Sequence, residues 1–173
     1  MTYKSYYESP VGMIMLESDG TYLTALAIEG QYHFKKNQNQ LENENIFIFQ
    51  KAKKWLEEYF QQKNPPIKDL PIKFSGSEFQ EKVWKHLLEI PYGQVVTYKE
   101  IAKKVAQDLG KEKMSAQAVG GAVGKNPLSI IIPCHRVIGK DNNLTGYGGG
   151  IDKKIKLLEI EGVDTTKYHL PKR

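Results

Sequence analysis

A cysteine, a histidine and an arginine follow one another at Cys134, His135 and Arg136, directly after Pro133. An imidazole beside a thiol can accept its proton and lower its pKa from about 8.5 towards neutrality. The resulting thiolate is a soft nucleophile suited to attack on saturated carbon. A lone cysteine is more often a small buried hydrophobic residue, so the neighbouring base is what favours a reactive thiol at this position.

A carboxylate that orients the histidine would strengthen this interpretation. Glu161, at the end of a helix predicted to begin near Asp152, is a candidate, although composition alone does not select it. Cys134 is the only cysteine in the 173 residues. This excludes an intramolecular disulfide and any zinc or iron–sulfur site that needs several cysteines.

The residues around Cys134 must be positioned by a second half of the chain that is predicted to be mainly helical. The patterns Ser-x-x-Gln at 77–80 and Thr-x-x-Glu at 97–100 are capping boxes, and each indicates the start of a helix. Ser115 can cap a third helix that extends to Val123. Short helices joined by a brief connection are typical of a helix-turn-helix, although many helical hairpins bind nothing.

The third of these helices is unusually poor in side chains, because residues 116–124 read AQAVGGAVG. A glycine inside a helix costs about 1 kcal/mol relative to alanine. The adjacent Gly120 and Gly121 therefore indicate close approach of another backbone, from either protein or nucleic acid. Tight packing of one helix on another explains the pattern equally well.

The first half of the chain is predicted to be a small sheet followed by one helix. Asp19 and Gly20 have the composition of a hairpin turn between two strands. Apolar residues recur at helical spacing over residues 46–62. The predicted elements are strands at 3–7, 11–16 and 22–28, a loop or weak helix at 31–45, the helix at 46–62 and a linker at 64–75.

Composition and charge narrow the class of protein. With 40% hydrophobic and 26% charged residues, the chain is an ordinary globular protein. Residues 1–75 are neutral, with nine lysines and nine acidic residues, so the net charge of +5 lies entirely in residues 76–173. That half is therefore expected to favour an acidic partner such as nucleic acid, although a merely soluble basic face is an equal alternative.

Targeting signals are not evident in the sequence. It has no apolar run of the roughly 20 residues needed to cross a bilayer, and its start, MTYKSYYESP, lacks a signal-peptide core. We therefore expect a reduced, cytoplasmic setting and no membrane partner.

Residues 132–139, which read IPCHRVIG, resemble the signature of the O6-alkylguanine-DNA alkyltransferases, which repair DNA by direct reversal. The similarity covers nearly all of residues 76–173, whereas residues 1–75 resemble the family only loosely. The other matching segments are Ser9-Pro10-x-Gly12, Gly93-x-Val95-Val96-Thr97-Tyr98, Ala118-Val119-Gly120-Gly121-Ala122, Asn126-Pro127, Tyr147-x-Gly149-Gly150 and Glu161-Gly162.

The resemblance implies an α/β chain of two domains. Residues 1–75 would form a ribonuclease-H-like domain with a three-stranded antiparallel sheet and a helix. Residues 76–173 would form a mostly helical, winged-helix-like domain that binds DNA and holds the cysteine. The protein would act as a monomer on double-stranded DNA that contains alkylated guanine, with its recognition helix in the minor groove and the damaged base flipped out.

The implied reaction is a single, irreversible transfer of a methyl or alkyl group from O6 of guanine to the sulfur of Cys134. O4-alkylthymine is a further candidate substrate. His135 matches the base that acts through a water molecule, and Glu161 matches the carboxylate that holds this histidine. Asn126 matches the residue that braces the helix-turn-helix against the cysteine segment.

Other positions match contacts to the base or to DNA. Tyr98 matches the tyrosine whose hydroxyl donates to the flipped guanine and helps to rotate it out. Gly148 occupies the position whose backbone N–H faces O6, and carbonyls near Cys134 and Val137 would accept from the exocyclic amine. The small residues Ala118 and Gly120 would let the helix approach DNA, and Lys99 and Lys140 are candidate phosphate contacts.

The sequence departs from the family at Gln117, seventeen positions before the cysteine, where better-known members carry an intercalating arginine. Glutamine can fill the gap left by the flipped base but lacks the charge and planar fork of arginine. We therefore expect slower repair of duplex DNA. Because only His33 and His86 remain outside the active region and the C-terminal tail, we also expect no metal and no cofactor.

Two rival functions remain. One is a DNA-binding protein that flags lesions without transfer, although proteins of that kind carry tryptophan in place of the cysteine. The other is a cysteine hydrolase, which would regenerate its thiol, whereas the transferase would be consumed in equal stoichiometry.

Overall fold

A computed structural model describes residues 2–34, 41–43 and 45–171. The chain divides into two compact units. One comprises Met1–Phe74 with Pro127–Ile131, and the other comprises Ser75–Asn126 with Ile132–Arg173. The segment 127–131 falls within the predicted C-terminal domain, 76–173, yet it packs with the first unit.

The first unit contains a four-stranded sheet in the order β3-β2-β1-β4. Strands β1 to β3 are antiparallel neighbours, which confirms the predicted three-stranded sheet. The two-residue β4 pairs parallel to β1 within the segment predicted as a loop or weak helix, whose residues 35–40 and 44 lie outside the described part of the chain. The strands are β1 Tyr3–Ser9, β2 Gly12–Ser18, β3 Leu23–Ile28 and β4 Leu41–Glu42.

Helix α1, Phe47–Phe60, covers this sheet, close to the predicted range of 46–62. Six apolar side chains recur at helical spacing and are buried, as the pattern requires, whereas Phe47 at the start of the helix is 70% exposed. The segment that follows was predicted to be a linker, but it is held to the first unit. Trp55 Nε1 donates to the carbonyl of Pro66 at 3.2 Å, and a 3-10 turn follows at Ile67–Asp69.

The outer edge of β3 is also paired. Leu23 forms a parallel bridge with Ile72, and Leu26 forms one with Leu128. The backbone N–H of Leu26 donates to Pro127 O at 2.9 Å, and that of Ser129 donates to Leu26 O at 3.0 Å. These ladder bonds satisfy the strand edge and explain why 127–131 belongs to the first unit.

Three helices pack against one another in the second unit: α2 Glu78–Leu88, α3 Tyr98–Asp108 and α4 Ala116–Gly124. Both predicted capping boxes are formed, at the starts of α2 and α3, and Ser115 caps α4. Trp84 is buried and its Nε1 donates to the carbonyl of Ala122 at 2.9 Å, which ties α2 to α4.

The remainder of the second unit surrounds the cysteine segment. A 3-10 turn at Cys134–Arg136 leads into β6, Val137–Ile138, which pairs parallel to β5, Val96–Thr97. Helix α5, Ile151–Ile160, packs against the cysteine turn and ends at Glu161. Shorter 3-10 turns lie at Lys140–Asn142 and Thr165–Lys167. Within the described ranges, none of the helices combines the length and the hydropathy that a bilayer crossing requires.

Candidate active site

The local backbone presents Cys134 at the first position of a tight turn. The N–H of Cys134 donates to the carbonyl of Ile132 at 2.8 Å, and that of Arg136 donates to Pro133 O at 3.0 Å. Pro133 fixes this entry because its ring restricts φ, which is −81° here. The thiol is 6% exposed, and its Sγ lies 4.0 Å from the hydroxyl of Tyr147.

His135 and Glu161 form a fully buried pair, with Nε2 of the imidazole 2.5 Å from Oε2 of the carboxylate. Arg136 donates to the same carboxylate through Nε at 2.8 Å and Nη2 at 3.1 Å, and its Nη1 donates to the carbonyl of Ile90 at 2.7 Å. Glu161 is 26 residues from His135 and 25 from Arg136 in the sequence, and it meets them because α5 ends beside the cysteine turn.

The electrostatics of this cluster assign protonation states to Glu161 and His135. Burial would raise the pKa of Glu161, but the hydrogen bonds and charges of His135 and Arg136 outweigh it and lower the pKa to about 2. Burial lowers the pKa of His135, and the nearby charges of Arg136 and Lys154 act in the same direction against the pull of Glu161. The resting site therefore holds a carboxylate, a guanidinium and a neutral imidazole that can accept a proton.

Asn126 links the end of α4 to the cysteine segment. Its side chain is buried, and Nδ2 donates to the carbonyl of Ile132 at 2.7 Å. The same carbonyl accepts from the N–H of Cys134. Asn126 thus holds the backbone two residues before the thiol.

Lys154 is a buried cation that sequence reasoning missed. Its Nζ donates to the carbonyls of Val137 at 2.6 Å and Leu144 at 2.5 Å, and to Thr145 Oγ1 at 3.3 Å. Burial lowers the pKa of Lys154 to about 8, while the charge of Cys134 acts in the opposite direction. The helical register was the signal that could have found it, because position 154 lies on the face of α5 that carries the buried Leu157 and Leu158.

Tyr98, the first residue of α3, directs its hydroxyl towards Thr145, with Oη 3.2 Å from Oγ1. Burial raises the pKa of Tyr98; the hydrogen bond to Thr145 lowers it, and the charge of Cys134 raises it further. The phenol therefore stays protonated and can act as a hydrogen-bond donor.

Five of the residues that the resemblance assigned to DNA or the base line a single cleft of about 700 Å³ in the second unit. The cleft lies between the start of α3, the start of α4 and the turn after β6. Those five are Tyr98, Lys99, Gln117, Gly120 and Lys140. Such a volume is suited to an organic group of the size of a nucleobase.

Four further predicted residues lie outside the cleft lining. Asn126 braces the cysteine segment from a buried position, and Val137 is buried with its carbonyl accepting from Lys154. Ala118 is exposed on α4, and Gly148 is exposed in the turn before α5. The structure thus pairs His135 with Glu161 and brings five of the nine predicted contacts to one cleft, whose lining does not include Cys134.

Among the described residues, none packs tightly against the glycines of α4. A Cβ added at Gly121 or Gly124 would meet no atom within 4 Å, and one at Gly120 would lie 3.9 Å from the ring of Tyr98. Gly121, Gly124 and the neighbouring Ala118 are exposed. Tight packing against a neighbouring helix therefore does not explain Gly121 and Gly124 within the part of the chain that the structure describes.

Nothing in the described ranges resembles a metal centre, since three or more His, Cys, Asp or Glu side chains nowhere come together there in a way that could hold an ion. The imidazole of His86 contacts two carboxylates, with Nε2 2.5 Å from Asp108 Oδ2 and Nδ1 3.3 Å from Glu89 Oε2.

Comparison with known proteins places both units in one family. Residues 2–74 match the family described as 6-O-methylguanine DNA methyltransferase, ribonuclease-like domain. Residues 78–163 match the family described as 6-O-methylguanine DNA methyltransferase, DNA binding domain. Together the two matches span most of the chain.

Individual relatives agree with this assignment. The chain is 40% identical over 161 residues to the methylated-DNA–protein-cysteine methyltransferase of Haemophilus influenzae, covering 93% of this chain and 87% of that protein. It is 42% identical over 163 residues to the enzyme of the same name from Methanosarcina acetivorans, covering 92% and 98%. The crystal structure of Mycobacterium tuberculosis OGT in complex with DNA matches with a TM-score of 0.81 at 37% identity, covering 96% of this chain and 94% of that one. The chain therefore belongs to the 6-O-methylguanine DNA methyltransferase family.

Proposed function

We propose that this protein repairs alkylated DNA by transferring the alkyl group from O6 of guanine to the sulfur of Cys134. The observation that carries the proposal is the position of the thiol. Cys134 begins the turn whose next residue, His135, forms the buried pair with Glu161, and the charge of Cys134 acts on the protonated Tyr98 hydroxyl. A nucleophile, a base and a hydrogen-bond donor to the leaving group therefore meet in one unit.

The reaction is an in-line displacement at a saturated carbon. The proton of the Cys134 thiol moves to His135 through a water molecule, and the sulfur attacks the alkyl carbon. Since Glu161 occupies Nε2 of the imidazole, the proton is received at Nδ1. The imidazolium that forms is stabilised by the carboxylate, in the manner of a base held by a third group. A carbon–sulfur bond forms, the carbon–O6 bond breaks, and the electron pair remains on the guanine.

Guanine leaves well only if its developing negative charge is met by hydrogen-bond donors. The hydroxyl of Tyr98 and the backbone N–H of Gly148 are the proposed donors. The carbonyls near Cys134 and Val137 accept from the exocyclic amine. Val137 O already accepts from Lys154, but a carbonyl oxygen has two lone pairs and can serve both groups.

DNA binds along the exposed small-residue face of α4 and the adjoining cleft. A helix with so little side-chain bulk can press against the sugar–phosphate walls of the minor groove, where sequence readout is degenerate. Repair in any sequence context requires binding that does not depend on the base sequence. The target atom is hidden in the duplex, so the base must be extruded into the cleft at a cost of a few kcal/mol. Gln117 fills the gap that the extruded base leaves in the duplex. Lys99 and Lys140, both exposed at the cleft, contact phosphates.

The product is a thioether, which is not hydrolysed under cellular conditions. Each molecule therefore acts once, as a monomer on one lesion. O4-alkylthymine presents the same type of carbon–oxygen bond and is a second candidate substrate.

The test is intact-mass spectrometry of the protein after incubation with a duplex that contains O6-methylguanine. We expect a gain of one methyl group per molecule, no gain in Cys134→Ser, and loss of the modified base from the DNA in equal stoichiometry. Tight binding with unchanged mass would instead indicate a protein that flags lesions, and a thiol regenerated over many turnovers would indicate a hydrolase.

A further inference from the structure

Thr145 has a backbone conformation that its side chain disfavours. Its φ is +61°, in the left-handed region, and it is β-branched. Such a residue is a genuine outlier there, whereas glycine adopts the region without steric conflict. Strain of this kind persists where surrounding contacts enforce it, and it often accompanies function.

Two contacts hold Thr145 in this conformation. Its backbone N–H donates to Oδ1 of Asn143 at 2.9 Å. Its methyl group, Cγ2, is seated so close to Gly139 that a Cβ on that glycine would lie only 2.6 Å away. The methyl is thereby fixed on one side, and the hydroxyl is directed to the other side, towards Tyr98.

The Thr145 hydroxyl has three polar neighbours. Oγ1 lies 3.2 Å from Tyr98 Oη, 2.5 Å from the carbonyl of Leu144 and 3.3 Å from Lys154 Nζ. A hydroxyl has one proton to donate and two lone pairs that accept. Lys154 can only donate and the Leu144 carbonyl can only accept. If Thr145 donates to Leu144, then Tyr98 must donate to Thr145, so the phenol proton points away from an incoming base.

The second arrangement of these bonds is equally well satisfied. When the phenol turns its proton to a base in the cleft, Thr145 can turn its own proton to Tyr98 Oη. Leu144 O then keeps the hydrogen bond from Lys154 Nζ at 2.5 Å, so no buried carbonyl is left without a donor. A phenol that accepts a hydrogen bond is a stronger donor, because hydrogen bonds in a chain polarise one another.

We propose that Thr145 is a positioning residue that reverses the direction of its hydrogen bond with Tyr98 when the base enters. It accepts from the phenol before DNA binds and donates to it during alkyl transfer, while Lys154 supports the Leu144 carbonyl throughout. This inference rests on the proposed function, since it concerns the donor to the departing guanine.

The experiment measures the single-turnover rate of methyl transfer from an O6-methylguanine duplex and, separately, the affinity for that duplex. The variants are Thr145→Val, which keeps the branched shape and loses the hydroxyl, and Thr145→Ser, which keeps the hydroxyl. Tyr98→Phe is combined with Thr145→Val in a double-mutant cycle. Thr165→Val removes a hydroxyl that bonds Glu159 in the same unit and serves as the matched control.

We expect Thr145→Val to transfer about tenfold more slowly, the effect of one hydrogen bond, with the affinity for DNA changed less than about twofold. Thr145→Ser should restore the rate, and Thr145→Val should have no further effect in the Tyr98→Phe background. Thr145→Gly lacks the hydroxyl, so it should transfer slowly. Because glycine also relieves the strained φ, the melting temperature of this variant should be maintained. The Thr145→Gly variant keeps the test valid if Thr145→Val perturbs folding.

Three outcomes would overturn the inference while the wild-type protein still gains its methyl group. These are an unchanged rate in both Thr145→Val and Thr145→Gly, a Thr145→Ser variant as slow as the valine variant, or independent effects of Thr145 and Tyr98. A wild-type protein that gains no methyl would overturn the proposed function itself, and this inference with it.

Discussion

Nε2 of His135 lies 2.5 Å from Oε2 of Glu161, and neither side chain is reached by solvent. The imidazole consequently has one orientation, with Nε2 bound to the carboxylate. Arg136 neutralises that carboxylate, with Nε 2.8 Å from Oε1. The pair is therefore both a part of the proposed base and a buried ionic cluster on which the second unit depends.

Glu161→Gln should slow methyl transfer by at least about 100-fold, because an amide can hold the imidazole but cannot stabilise the imidazolium. It should also destabilise the protein by about 3–5 kcal/mol, since Arg136 is left as an uncompensated buried charge. Single-turnover kinetics and urea unfolding measure the two effects. Glu159→Gln, an exposed change two residues earlier on α5, is the control. A Glu161→Gln variant that transfers at the wild-type rate would remove the carboxylate from the mechanism.

The same carboxylate predicts a pH dependence of stability. The pKa of Glu161 falls from 4.5 to about 2 in the folded protein. The ionised form therefore stabilises the fold fully above pH 4.5, and this stabilisation is lost as the pH falls towards 2. The loss amounts to about 3 kcal/mol. Urea unfolding between pH 6 and acid pH should show this slope in the wild type and a flatter one in Glu161→Gln; parallel slopes would contradict the assignment.

Lys154 predicts a further rise in stability with pH, in the alkaline range. Its pKa falls from 10.5 to about 8 on folding, so the unfolded chain binds more protons between these values. The free energy of unfolding should thus rise with pH from about 8 towards 10.5, by up to about 1.4 kcal/mol per pH unit. Lys154→Met should lack this rise, and the exposed Lys156→Met should keep it. Identical profiles for wild type and Lys154→Met would show that the amine is not perturbed by burial.

Gln117→Arg should speed repair of duplex DNA. Gln117 is exposed in the first turn of α4 and lines the cleft with Tyr98, so an arginine there can enter the gap left by the flipped base. Its charge and planar fork offer more to the orphaned base than an amide does. We expect an increase of about tenfold on duplex DNA and a smaller one on single strands. Gln107→Arg adds the same charge at an exposed position of α3. An equal increase in the repair rate of that variant would attribute the effect to charge alone.

Gly121→Ala separates stability from DNA binding. Because a Cβ at Gly121 meets nothing within 4 Å, alanine should stabilise the protein by about 0.5–1 kcal/mol through helix propensity. If α4 presses against the DNA backbone, the same methyl should weaken duplex binding by about fivefold or more. Thermal unfolding and fluorescence anisotropy provide the two measurements, with Gln107→Ala as a helix-surface control. Undiminished affinity would mean that this face does not approach DNA closely.

Local features of this protein are determined by its sequence. The capping boxes at 77–80 and 97–100 exchange hydrogen bonds within a single helical turn, so their residue types predict where α2 and α3 begin. The hairpin turn signal at Asp19 and Gly20 and the apolar spacing of α1 are equally local. The segment 132–139 likewise identified the family, because the signature is contiguous.

Only the tertiary structure decided which distant groups meet. Lys153, Lys154 and Lys156 look alike in the sequence, yet Lys154 alone of these three is fully buried, where it donates to two carbonyls. The left-handed conformation of Thr145 and its contact with Tyr98 depend on Gly139 and Asn143. Segment 127–131 joins β3 through ladder bonds that span a hundred residues of chain. Residue types do not by themselves specify these contacts, because the packing of α5 and of the edge of β3 brings the partners together.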